Sequence, residues 1–217
     1  MKSAERKKLL SQLSPRFSSF VPKDRLLLKA PVRDLLHAFH FEDSRFDSAN
    51  FYVRAFVLPL YVPCDYLYFL CSIDIRAQTR IWNLREPSIV EDLTKTMLEQ
   101  GIAFLRQFNS PLELAAKIAD VTKAPENLHV METIAYSLAV SGKWIEASDA
   151  LARFLLRMER VVEEYNESTL AMKQRAELLQ RLIVDNPEQA LAQLNSWREQ
   201  TLVKLKLTTE LNSTRKP

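Results

Sequence analysis

The sequence predicts an α+β fold: a small antiparallel β-meander over about residues 25–76, packed against a mainly helical C-terminal half. Three observations carry this reading. Aromatic and β-branched residues crowd Phe51–Leu60 and Tyr66–Ile75, with a short proline turn between them. Beyond residue 87 the apolar residues recur at helical spacing behind recognisable start signals. The 217-residue chain is 47% apolar and 26% charged, the composition of a globular protein with enough apolar surface for a core.

The elements follow in order. Residues 3–13 place Leu9, Leu10 and Leu13 on one helical face. Pro15, Pro22 and Pro31 punctuate the next stretch, leaving Arg25–Ala30 as a short strand. Leu35–Glu42 alternates, with Leu35, His37, Phe39 and Phe41 on one face and Leu36, Ala38 and His40 on the other. Glu42–Asn50 is a polar turn region. Phe51–Leu60 is the clearest strand, and Pro59 marks its end because proline cannot donate to a ladder. Pro63–Asp65 turns the chain into a further strand, Tyr66–Ile75. Ser88-Ile-Val-Glu91 and Ser110-Pro-Leu-Glu113 read as capping boxes that open helices. Gly142 is placed as a left-handed C-cap between two helices, and Asn186-Pro187 starts the last one, after a helix over Leu170–Val184.

This organisation predicts a basic helix plus meander in 1–86, helical hairpins in 87–207 packed on the sheet as one domain, and a frayed tail at 208–217. The predicted core comprises Phe39, Phe41, Phe51, Val53, Phe56, Leu67, Phe69, Ile89, Leu93, Leu151, Phe154, Leu182 and Leu194.

Composition removes whole classes of chemistry. With only Gly101 and Gly142, no phosphate-cradling loop, dinucleotide fingerprint or Gly-x-Ser-x-Gly elbow can be written. Cys64 and Cys71 match no zinc spacing, and neither a metal nor a cofactor is expected. The absence of a signal peptide and of a long apolar run predicts a cytoplasmic protein that does not enter membranes. The net charge of +3 is uneven, at +7 for residues 1–33 and −4 for residues 34–100. The basic segment reads as a solvated first helix, and the acidic middle disfavours nucleic acid. Nothing in the sequence specifies an oligomeric state.

Two resemblances are visible. Ala135, Gly142, Trp144 and Ala147 resemble the small, glycine, aromatic, small pattern of one tetratricopeptide helix–turn–helix. The stretch from Phe39 to Pro63 (Phe-His-Phe-Glu-Asp-Ser-Arg-Phe-Asp, then Phe-Tyr-Val-Arg-Ala-Phe-Val-Leu-Pro-Leu-Tyr-Val-Pro) resembles a group of uncharacterised bacterial proteins over roughly residues 25–75. The group implies no assigned activity. Small α+β families of this appearance are suspected of being immunity proteins or partners of bacterial toxins.

Candidate functional residues gather in two turns. Glu42, Asp43, Asp47 and Asp65 hold the acidic excess of the middle third, and Tyr61 and Tyr66 flank the second turn. Acidic groups around aromatic anchors suit a basic protein partner, which predicts a non-enzymatic interaction module. The alternative is a hydrolase or nuclease-like enzyme using Glu42, Asp43 and Asp47 with His37 or His40.

Overall fold

The computed structural model describes residues 3–76, 81–161 and 166–207. It confirms the α+β class. The chain divides into two compact units. A sheet unit takes the described parts of Met1–Leu58, Cys71–Phe108 and Leu207–Pro217, and a helical unit takes Pro59–Leu70 and the described parts of Asn109–Lys206.

In the sheet unit, α1 (Ser3–Leu13) buries Leu9, Leu10 and Leu13, as their shared face predicts. Strands β1 (Phe20–Lys23), β2 (Leu26–Lys29), β3 (Leu35–Asp43), β4 (Asn50–Pro59) and β5 (Cys71–Ile75) run in sequence order across the sheet, and β6 (Trp82–Asn83) pairs with β4. The meander topology matches the expectation, with two corrections to its extent. β1 was not anticipated because it contains Pro22, and an edge strand tolerates the missing donor. β6 has two residues, too few to leave a pattern. The expected strand Tyr66–Ile75 shortens to Cys71–Ile75: the β4–β5 register starts at Val57↔Cys71, and the chain leaves the ladder near Pro59.

The helix after the sheet begins with α2 (Ile89–Thr96), passes through a π-helical stretch (Met97–Ile102) and ends in α3 (Ala103–Leu105). Ile89, Leu93, Met97, Phe104 and Phe108 are all buried, as predicted. The expected capping box at Ser88 does not form. The Ser88 hydroxyl donates to Asp92 Oδ2 at 2.6 Å and caps no amide. Gly101 lies in the π-helical stretch because Phe39 occupies the space a side chain would need. A Cβ there would overlap Phe39 Cε1 and stand 2.8 Å from Cζ. Phe39 in turn packs against Phe17 and Phe20, with ring centroids 6.0 and 5.5 Å away.

The helical unit contains α4 (Pro111–Thr122), α5 (Leu128–Val140), α6 (Trp144–Val161), α7 (Glu167–Asp185) and α8 (Pro187–Lys204). Each packs on its successor, and α5 also meets α8, where Tyr136 stacks on Trp197 at 5.5 Å. Ser110 caps α4 by accepting from Glu113 N, while the Glu113 carboxylate reaches back to Asn109 N. Asn186 caps α8 as predicted, and Asn127 and Asn166 do the same for α5 and α7. At the end of α5, Gly142 has φ +71°, its amide donates to Ala139 O, and Lys143 N donates to Leu138 O. That pair of bonds is a Schellman turn, which satisfies carbonyls the helix would leave open. Of the predicted core, Leu67, Phe69 and Leu182 are only half-buried and the rest are buried.

Candidate functional site

The six sequence-selected residues fall in different units. Glu42, Asp43 and Asp47 belong to the sheet unit; Tyr61, Asp65 and Tyr66 belong to the helical unit.

In the sheet unit the carboxylates are largely engaged. Asp43 pairs with Arg6 at 3.1 Å and with Arg25 at 3.3 Å. Asp47 folds its own loop by accepting from Ala49 N at 2.9 Å, with an Arg85 nitrogen 3.8 Å away. Glu42 is exposed. The conspicuous residue of this loop is one the sequence reading missed: Phe46, 96% exposed. His37 and His40 lie on opposite strand faces as expected. His37 is in the core, where its Nε2–H donates to Phe108 O at 2.6 Å, and burial lowers its pKa. Burial also lowers the pKa of His40. Among the described residues, no three His, Cys, Asp or Glu side chains are grouped to hold a metal ion.

The helical unit holds the more developed site. Residues 60–70 form no helix or strand and lie as a strap on α5 and α8, facing α7 across a shared cavity. Tyr61 was expected to be an exposed anchor. It is instead 1% exposed, and its hydroxyl lies 2.6 Å from Ser137 Oγ on α5. Asp65 pairs with Lys204 at the end of α8. The Tyr68 ring lies against His129 on α5, with centroids 6.4 Å apart. Tyr66 projects outward, 69% exposed.

Between the strap and the helices lies a cavity of about 890 Å³. Asp65, Tyr66 and Tyr68 of the strap, His129 and Glu132 of α5, Ser168, Met172 and Arg175 of α7, and Lys204 of α8 line it. Its electrostatic centre is the pair Glu132–Arg175, 3.1 Å apart, with Glu132 only 1% exposed. Burial raises the Glu132 pKa and Arg175 opposes that shift. An unpaired carboxylate at this depth would cost several kcal/mol, of order 3–5, so loss of Arg175 alone would be strongly destabilising. Burial, then Asp65, pushes the Cys64 thiol up to about 11, so it is protonated at neutral pH and a poor nucleophile. His129 has its pKa lowered by partial burial and by Arg175, which keeps the imidazole neutral.

Two residues that the sequence placed on a contact surface, Asp65 and Tyr66, line this cavity, and sequence reasoning missed its other walls. Glu132 carried a readable signal: it is the sole charged side chain of helix Leu128–Val140, apart from ionisable His129. Its partner lies 43 residues away, which no local pattern indicates.

Comparison with protein-family models, curated proteins and solved structures finds no match. Among the described residues, no helix is long and apolar enough to cross a membrane.

Proposed function

We propose that this protein is a protein-interaction module whose helical unit holds an extended segment of a partner protein. The observation that supports this is the strap. The surface of α5 and α8 already receives an irregular, proline-containing stretch of chain through side-chain contacts, and an open cavity that α7 also lines runs beside it. Stacked helical hairpins present surfaces suited to extended chain, and pockets between them give specificity. A module of this kind acts by occupying its partner, as a regulator or a toxin-neutralising protein does. Three of the five residues a hydrolase would use are otherwise engaged: Asp43 by two arginines, Asp47 by its own loop, and His37 by a core carbonyl.

The test is a photo-activated benzophenone side chain at Ser168, which is exposed and lines the cavity. Irradiation in the source cells is expected to give a covalent adduct with one contiguous stretch of a second protein. The same probe at Asp149, exposed on α6 and away from the cavity lining, is the control. No adduct at 168, or equal adducts at both positions, would overturn the proposal.

A further inference from the structure

The strap is seated unevenly. Leu60, Tyr61 and Val62 are at most 3% exposed, so this end is an anchor. From Pro63 to Leu70 every residue is half-buried or exposed, and none belongs to a helix or strand. Among the contacts that hold this outer portion are the Asp65 carboxylate on Lys204, an exposed pair, and the Tyr68 ring on His129 three residues later. Exposed ion pairs are worth little, of order 0–1 kcal/mol, and no residue of this portion is as buried as Leu60, Tyr61 and Val62, so this half of the strap is the more weakly held one.

We infer that the groove reads a carboxylate followed three residues later by an aromatic ring, that residues 63–70 are its built-in occupant, and that an extended segment of a partner protein with the same pattern replaces them. The inference rests on the proposed reading of the groove. A tethered occupant has an effective concentration of order mM, so a free segment needs additional contacts to displace it. The cavity supplies them: Ser168 and Met172 line space that the strap leaves open. The anchor at Tyr61 need not move, because its hydroxyl contact to Ser137 lies before the exchanged stretch.

The experiment uses a fluorescent peptide of residues 63–70 carrying Cys64→Ser, and the full chain as host, read by anisotropy at low salt. The double variant Asp65→Ala/Tyr68→Ala, whose own strap is loosened, is expected to bind the peptide at least tenfold more tightly than the unaltered chain. A second host, Lys204→Asp, changes an exposed residue and leaves the core intact. It is expected to prefer a peptide carrying Asp65→Lys over the original by tenfold or more. Equal binding by the double variant and the unaltered chain would overturn the inference, as would failure of the charge exchange to switch preference. Light scattering that shows the unaltered chain dimerising through the strap would assign the groove to a second copy and overturn the choice of occupant. The peptide assay needs no partner, so its failure leaves the Ser168 cross-link standing. Loss of the cross-link with peptide binding intact removes the partner and not the groove's preference.

Discussion

The Tyr61–Ser137 contact decides whether the strap belongs to the helical unit, and a double-mutant cycle measures it. Both residues are at most 1% exposed and their oxygens are 2.6 Å apart. Tyr61→Phe removes the phenol oxygen and leaves the Ser137 hydroxyl buried without it. Ser137→Ala removes the same bond from the other side. Stranding a buried polar group costs about 1–3 kcal/mol, whereas removing both partners is close to neutral. Each single variant should therefore lose about 1–2 kcal/mol, and the double variant should lose no more than one single, a coupling of about 1–2 kcal/mol. At a urea dependence of roughly 2 kcal/mol per molar, each single shifts the unfolding midpoint by about 0.5–1 M. Equilibrium urea unfolding followed by circular dichroism reads this directly. Additive losses, or singles within about 0.3 kcal/mol of the parent chain, would refute the seating of Tyr61 against α5.

Other expectations follow from single features. Gly142→Val should destabilise by about 1 kcal/mol or more, because φ is +71° and nothing lies within 4 Å of an added Cβ, so backbone strain is the cause; an unchanged thermal melt would refute it. Gly101→Ala should lower the melting temperature by several degrees, roughly 2–6 °C, as overpacking against the immobile Phe39 ring exceeds the better helix propensity of alanine; an unchanged or raised melting temperature would refute it. His37 titrates below its ordinary 6.5, so its contribution to stability is present above that pH and is lost as pH falls through the folded value. His37→Leu should cost about 1–3 kcal/mol at pH 7.5, by stranding Phe108 O, and should flatten the melting temperature's fall between pH 7 and 5; an unaltered slope would refute it. Glu132 has the opposite sign: its pKa is raised from 4.5, so stability declines as pH rises through that window.

Most of the architecture was legible because local rules set it. The alternation in Leu35–Glu42, the asparagine before Pro187 and the isolated Gly142 each admit few conformations, and β3, α8 and the Schellman turn follow. The failures share a cause. Tyr66–Leu70 has the composition of a strand, yet it has no ladder partner, because a side chain on α5 competes for it. Ser88 has the residue type for a cap, but its backbone sits at φ −89° and ψ 7°, and its hydroxyl finds Asp92 instead. The site was legible only at Asp65 and Tyr66, which the strap carries in sequence. Its walls come from residues 129–132, 168–175 and 204, and the Glu132–Arg175 pair that organises them arises from packing rather than from any local pattern.

Exchange of the outer strap is the central claim, and nuclear magnetic resonance of the full chain tests it most directly. The Tyr68–His129 ring contact is followed before and after binding of the segment identified by the Ser168 cross-link. Displacement requires the cross-peaks between these two rings to disappear in the complex while amides of α5 and α7 gain protection from exchange. Retention of the Tyr68–His129 contact, with the partner segment bound, would contradict it.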